Sequence, residues 1–263
     1  MLSIYYISQI EKYNSRYNPS TLKITLITPT YNEAENLPKL LEALFALPLS
    51  NLDVLVVDDN SPDGTGEIAE EEGQKHKGRV RVIHRKGKLG LGSAYIAGFH
   101  EALSNDAQTI GQIDADFSHP PQKVLELVSA LQTCDLAVGS RYVPGGNVDR
   151  EWAFWRKGLS AFGNFYARTI LGLPLRDVTG GFRLWKRDTL INMPLDRVRS
   201  NGYVFQVEMA YVAHRLGYSM KEVPIYFAER RFGESKMSLR IQLEAAIRVW
   251  QLRGIYRDLS QSR

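Results

Sequence analysis

Cysteine is the scarcest feature of this sequence: Cys134 stands alone among 263 residues. An intramolecular disulfide is excluded, so the chain must hold together by packing, which fits a reducing compartment. Long apolar runs are missing too, and no stretch reaches the roughly 18 uninterrupted apolar residues of a membrane span. Histidine is sparse, and of the five only His119 adjoins a motif, which argues against chemistry driven by histidine proton transfer. No internal repeat, low-complexity segment or obvious interdomain linker interrupts the chain. Residues 1–22 carry apolar Leu2, Ile4, Tyr5, Tyr6, Ile7 and Ile10 but neither the basic start nor the cleavage site of a signal peptide, and are expected to form a flexible extension. Also absent is a G-x-G-x-x-G fingerprint after the first strand, which excludes an ordinary dinucleotide fold. The Gly87–Gly92 loop follows a later strand with the wrong spacing.

What is present is a globular balance of 44% hydrophobic and 24% charged residues. The net charge of +4 hides a division. Residues 141–187 hold nine Lys/Arg against three Asp/Glu, and residues 215–257 nine against four, leaving −7 for the remainder, chiefly the N-terminal half. The second half is expected to meet something anionic.

Lys23 to Thr30 is rich in β-branched residues and reads as a buried strand. A helix follows with Asn36 as its N-cap and Leu40, Leu41, Leu44 and Phe45 as its buried stripe. Strands are expected at 52–57, 79–84, 109–113 and 135–140, with helices at 65–76, 93–103 and 122–132 between them. Such alternation implies a mostly parallel sheet covered on both faces. Beyond Arg141 a long helix is expected at 152–173, a short strand at 182–185, a helix at 204–216, and a strand at 220–227 that Pro224 consigns to an edge. A closing helix spans 239–252.

Ligands of parallel sheets gather at the carboxyl ends of the strands. Those exits here are Pro29-Thr30-Tyr31-Asn32-Glu33, Asp58-Asp59, Asp114-Ala115-Asp116 and Ser140-Arg141. In an extended segment Asp114 and Asp116 would point the same way and converge on one cation. With thirteen aspartates in the chain, composition alone yields such a pair about as often as not. Its place at a strand exit, with Ser118 two residues on, favours a hard divalent ion, Mg²⁺ or Mn²⁺, bridging a diphosphate. Glu33 with Asp58 and Asp59 would form an acidic floor for ribose hydroxyls and base N–H groups. Arg141, Arg156, Arg230 and Lys236 supply the opposite charge. Arg156, Ser160 and Asn164 share one helix face, opposite Trp155, Leu159, Phe162, Phe165, Tyr166 and Ile170. That face fits either phosphate recognition at a lipid surface or a core helix with its polar side in water.

Pro29 to Glu33, Val57 to Thr65, Asp114 to Pro120, Gly139-Ser140-Arg141-Tyr142, Asp177 to Arg183, Tyr203-Val204-Phe205-Gln206 and Arg230-x-x-Gly233-Glu234-Ser235-Lys236 occur in this order. Together they resemble the dolichyl-phosphate (polyprenyl-phosphate) mannose synthases, inverting family 2 glycosyltransferases. The resemblance covers about Lys23 to Leu239. It implies an α/β GT-A nucleotide-diphospho-sugar transferase fold, Rossmann-like, with a mostly parallel central sheet, helices on both faces and a C-terminal membrane-facing helical elaboration. It implies a catalytic domain over 23–238, and an amphipathic helix and tail over 239–263 in place of the transmembrane domain of some relatives. The implied reaction transfers mannose from GDP-mannose to a polyprenyl or dolichyl phosphate at the cytoplasmic face of a membrane. Contact with the membrane surface would be peripheral or through a membrane-anchoring partner subunit, and nucleic acid is not an expected partner.

By position, Pro29, Tyr31, Glu33, Val57 and Asp59 match the family's nucleotide contacts, and Asp114, Ala115 and Asp116 its donor and metal loop. Ser118 stands where some relatives have glutamine as a metal-loop residue. Arg141, Arg156 and Ser160 match the acceptor-phosphate site. Arg230 and Lys236 match the segment that closes on the donor phosphates, so Asp116, Arg141, Arg230 and Lys236 are the expected catalytic set. Two rival readings remain open: UDP-glucose as donor on the same fold, and a non-catalytic sugar-nucleotide-binding scaffold subunit.

Overall fold

The computed structural model describes residues 22–228 and 239–259, the first five of the second span by backbone alone. The chain enters through β1 (Ile24–Thr30), α1 (Leu37–Phe45), β2 (Leu52–Asp58), α2 (Thr65–Lys75), β3 (Val80–His84), α3 (Leu91–Ser104) and β4 (Thr109–Gln112). It continues through α4 (Val124–Ala130), β5 (Leu136–Ser140), β6 (Asn147–Val148), α5 (Phe154–Leu171), β7 (Arg183–Lys186) and α6 (Arg187–Ile191). Helix α7 (Gly202–Arg215), β8 (Met220–Pro224), β9 (Tyr226–Phe227) and α8 (Leu239–Ile255) complete it.

The main sheet runs β3-β2-β1-β4-β7-β5-β8. Strand β1 pairs in parallel with β2, Ile24 opposite Leu52 through Thr30 opposite Asp58, and β4 lies parallel on its other side. Both faces of these strands are apolar, as a doubly covered sheet demands. Leu26, Leu52, Val54 and Val56 pack under α1, α2 and α4, while Ile27, Leu55 and Val57 pack under α3, α5 and α7. The exception is β7, wedged antiparallel between β4 and β5. Gly111 permits this close fit: a Cβ there would lie 2.3 Å from Leu26 Cδ2 and 3.1 Å from Leu184 Cδ1.

Pro224 ends the edge strand as expected. Past it, the chain shifts to pair Tyr226 and Phe227 in parallel with β6, a two-residue strand too short to leave a sequence pattern. Asn36 occupies the N-cap position of α1 without capping it. Glu33 O already accepts the N–H groups of Asn36 and Leu37, so the chain enters α1 through a turn with Asn36 itself helical, and the Asn36 amide donates to Glu33 Oε2 at 2.8 Å instead.

Helix α5 departs from the core-helix alternative in direction. Its buried residues are Asn164, Ala167 and Leu171, whereas Phe154, Trp155, Phe162 and Phe165 stand in solvent. The polar stripe faces the protein and the aromatic stripe faces out. Helix α8 rests on α5 and α7 through buried Val249 and Leu252. Just after it Tyr256 donates to the fully buried Glu208 at 2.8 Å, which also accepts the Ser200 N–H at 2.8 Å. Ile247 and Trp250 of α8 remain exposed beside the α5 aromatics.

Gly92 sets the seat of α3 against the segment before α7, since a Cβ there would meet Ser200 O at 2.2 Å. Gly92→Ala is expected to cost about 1–3 kcal/mol through a forced backbone shift. Gly158→Ala in α5 meets nothing within 4 Å and should be neutral or stabilising by up to about 1 kcal/mol. Urea unfolding midpoints of the two variants check the contrast.

Candidate active site

All four polar exits lie at one end of the parallel strands, but they use their charge differently. The Asp58 carboxylate turns inward, accepting from Thr30 Oγ1 at 2.8 Å and from the Ser61 N–H at 2.9 Å. Asp59 accepts the N–H groups of Leu89 and Gly90 at 3.1 and 3.2 Å and pairs with Arg85. The anticipated acidic floor is therefore largely neutralised by the fold itself: Asp58 closes its own turn, and Asp59 anchors the glycine-rich loop. That loop returns Lys88 to the mouth of the site, its ammonium 3.7 Å from the centre of the Tyr31 ring. Pro29 and Val57 sit opposite each other in the β1–β2 register. The Glu33 N–H donates to Thr65 Oγ1 at 2.9 Å.

Strand β4 stops at Gln112, so Asp114 and Asp116 lie on a turn rather than in the extended segment assumed from their spacing. Phe117 takes a left-handed φ of 60°, a conformation that costs a bulky residue energy and marks a constrained loop. Through it the Ser118 N–H reaches Asp116 Oδ1 at 3.0 Å. The Ser118 hydroxyl is buried without a hydrogen-bond partner. Asp114 Oδ1 accepts from the Tyr95 hydroxyl at 3.1 Å, and the Asp114 N–H donates to His119 Nδ1 at 3.3 Å. Burial, reinforced by the charges of Asp114 and Asp116, pushes the Tyr95 phenol well above its usual range. Burial also lowers the His119 imidazole despite both carboxylates. His119 is thus a neutral acceptor at Nδ1, stacked on Phe182 at 5.2 Å and edge-on to Phe227 at 5.4 Å. It positions the Asp114 backbone and carries no proton for the reaction.

On the opposite side Arg141 is buried and gripped by Asp177. Its Nε and Nη2 donate to the two carboxylate oxygens, each at 2.7 Å, and Nη2 also reaches Thr179 Oγ1 at 2.8 Å. Burial alone would raise the Asp177 carboxyl, but the Arg141 charge and its hydrogen bonds hold it below the usual range. Ser160 meets the Tyr142 hydroxyl at 2.7 Å. Asn164 accepts from the Val178 N–H at 2.8 Å and donates to Thr179 Oγ1 at 3.0 Å. The polar stripe of α5 therefore binds the 177–180 loop, which explains why it faces inward. Arg156 lies one turn earlier on α5, its guanidinium 3.9 Å over the Trp152 ring. Arg230 and Lys236 lie outside the described residues.

The site thus brings Asp114, Ala115, Asp116 and Ser118 together on one loop, and Arg141 with Ser160 through Tyr142 and Thr179. Asp177, Thr179 and Gln206 belong to motifs recognised in the sequence, yet nothing in the pattern assigned them a partner. Tyr95 left no signal at all, because it occupies a helix position that reads as ordinary core.

Residues 25–193 match the profile of Glycosyl transferase family 2. The chain belongs to that family. An undecaprenyl-phosphate mannosyltransferase of Micrococcus luteus is 46% identical over 241 residues, 90% of this chain and 98% of the relative. A polyprenol monophosphomannose synthase of Mycolicibacterium smegmatis is 44% identical over 245 residues, 90% of this chain and 91% of the relative. Among solved structures, glucosyl-3-phosphoglycerate synthase from Mycobacterium tuberculosis, crystallised with Mn²⁺, UDP and glucosyl-3-phosphoglycerate, aligns with a TM-score of 0.62 at 18% identity. That alignment covers 95% of this chain and 83% of the other. A likeness at such low identity is one of fold, and the fold of this family 2 chain is GT-A.

Asp177→Asn would leave Arg141 buried beside a neutral partner, and unfolding by urea should detect a loss of roughly 3–5 kcal/mol at pH 7. Because the folded carboxyl titrates below its unfolded value of 3.8, the Asp177 contribution is complete above that value and fades as pH falls through the folded one. The stability gap between variant and wild type should stay level from pH 8 to about 5 and narrow below about 4.

Proposed function

We propose that this chain transfers mannose from GDP-mannose to a polyprenyl phosphate by single displacement with inversion, yielding polyprenyl-phosphate β-mannose and GDP. The observation that carries the reading is the pairing, at one end of a GT-A sheet, of a carboxylate loop with an arginine-bearing wall. The names of the two mannosyltransferase relatives support the sugar and the lipid acceptor.

Asp114, Asp116 and the Ser118 hydroxyl would hold Mg²⁺ or Mn²⁺. Their donors are oxygens only, the Ser118 hydroxyl lacks a partner, and among the described residues no third His, Cys, Asp or Glu joins them in a metal-sized cluster. Such a sparse set suits an ion that completes its shell with diphosphate oxygens and water. When bound, the ion neutralises charge on the leaving diphosphate.

The acceptor is a phosphate monoester with a second pKa near ~6, largely dianionic at neutral pH. It needs no general base, in keeping with a His119 already occupied by the Asp114 N–H. Tyr31 and Glu33 receive the nucleoside with Pro29, Val57 and the loop tied to Asp59. Arg141, Arg156 and Ser160 hold the acceptor phosphate behind the anomeric carbon and offset its repulsion from the donor. Arg230 and Lys236 close over the donor phosphates. In this reading residues 23–238 form the catalytic unit and 239–263 an amphipathic adjunct.

Phe154 and Trp155, 91% and 70% exposed, lie beside Arg156 and Lys157. Aromatics with adjacent cations suit the interface of an anionic bilayer. No helix among the described residues is long and apolar enough to cross a membrane. The enzyme then works peripherally at the cytoplasmic face, alone or with an anchoring subunit, and α5 with α8 brings the lipid to Arg156.

Purified protein supplied with GDP-mannose, Mg²⁺ or Mn²⁺ and undecaprenyl phosphate should form a mannolipid detectable by mass spectrometry, inhibited by GDP and not by UDP. Turnover of UDP-glucose instead would replace the donor, and no turnover of any donor would favour the scaffold reading. Asp116→Ala should lower kcat by about 100-fold or more; full activity in a folded variant would remove the metal role. Trp155→Ala with Phe162→Ala should release the protein from anionic liposomes in flotation while leaving GDP affinity unchanged.

A further inference from the structure

Among the buried polar atoms without a partner, Gln206 Nε2 is the one whose direction is dictated by chemistry. The chain of reasoning starts at Trp185, fully buried in β7, whose indole can only donate. It donates to Gln112 Oε1 at 2.9 Å, which turns the Gln112 carbonyl toward it and the Gln112 amide nitrogen away. That nitrogen reaches Gln206 Oε1 at 3.3 Å. A donor cannot face a donor, so the NH₂ of Gln206 must point to the far side. The side chain is 2% exposed and its backbone carbonyl is clamped by Arg183 Nη1 at 2.7 Å, so it has little freedom to turn elsewhere.

What it faces is Gly181. An atom in the Cβ position there would lie 3.4 Å from Gln206 Nε2, 3.6 Å from His119 Cε1 and 3.9 Å from Asp114 Oδ1. The glycine leaves room for one heavy atom between a donor that has no acceptor and a carboxylate oxygen that can accept. An anionic oxygen there would be repelled by Asp114, and an ammonium could not accept from Gln206. A hydroxyl does both, accepting from the amide and donating to the carboxylate.

We propose that Gly181 and Gln206 form the floor of the hexose subsite, where one ring hydroxyl of the donor sugar sits over Gly181, bonded to Gln206 Nε2 and Asp114. The inference rests on the reading of the site as one for a nucleotide-diphospho-sugar, and it makes Gln206 a specificity-determining residue. A donor whose hydroxyl is missing or inverted at that ring carbon leaves Gln206 unpaired and is rejected.

Two variants test it. Gly181→Ala fills the hydroxyl's place at ordinary contact distances, so the fold should stand; Gln206→Leu keeps the shape and removes the donor. Calorimetry on wild type and both variants would compare GDP, GDP-mannose, its monodeoxy analogues and its epimers. Each variant should lose about ten-fold in affinity for GDP-mannose while binding GDP as the wild type does. Gln206→Leu should no longer distinguish GDP-mannose from one particular deoxy analogue, and the double variant should be no weaker than the worse single one. Unchanged GDP-mannose affinity and discrimination in either variant would overturn the proposal, as would a parallel fall in GDP affinity, which marks a structural role. Should the wild type prefer UDP-hexoses, the donor reading fails by itself and the same ratios taken with UDP and its hexoses decide the subsite.

Discussion

Arg183 carries its charge into the centre of the sheet, and the geometry of the site depends on how that charge is satisfied. It is fully buried, and its fork donates to Gly180 O at 2.9 Å, Gln206 O at 2.7 Å and Val178 O at 2.8 Å. Burial pulls its pKa down to about 10, opposed by the nearby Asp177 charge, so it stays protonated at neutral pH. Only a guanidinium offers enough rigidly spread donors to hold three carbonyls of two separate segments at once. Because these bonds fix the 178–180 loop, Asp177 meets Arg141 and Gly181 comes to rest beside Asp114. Two walls that are far apart in sequence acquire a common reference point inside the core.

The charge division of the sequence takes on a different meaning in three dimensions. Much of the acidity of the first half is used internally, Asp58 on its turn and Asp59 on Arg85 and the glycine loop. Much of the basicity near the site is likewise internal, Arg141 on Asp177 and Arg183 on carbonyls. A buried pair such as Arg141–Asp177 contributes less to net stability than to fixing one arrangement of its neighbours. The site is therefore preorganised by charges that are already compensated, which allows a doubly charged donor and acceptor to approach each other without the loops moving apart.

The layered fold was legible because strands buried on both faces leave continuous apolar runs, and because polar residues collect where those runs end. Pro224 similarly announced an edge, since proline cannot donate into a central ladder. The antiparallel sense of β7 was hidden: four residues carry no direction in their hydrophobicity, and the strand is placed by Arg183 and Trp185, whose partners lie elsewhere in the chain. The inward turn of the polar stripe of α5 was equally unreadable, because an amphipathic pattern fixes two faces without saying which meets protein. Treating Asp114 and Asp116 as extended gave them a shared direction for the wrong reason, since the turn at Phe117 governs their placement. Tyr95 escaped notice because a hydroxyl at a core position becomes informative only once its acceptor is known.

The late arrival of β7 bears on how the chain is made. The Trp185–Gln112 bond spans 73 positions and the Gln112–Gln206 bond spans 94. A nascent chain emerging from the ribosome displays β1, β2 and β3 ready to pair, while one side of β4 stays open until β7 has left the exit tunnel. An uncovered strand edge is a template for pairing with other chains. Synthesis of the arginine-bearing segment therefore closes the sheet as well as completing the site, so a polypeptide truncated before it would be both inactive and prone to associate.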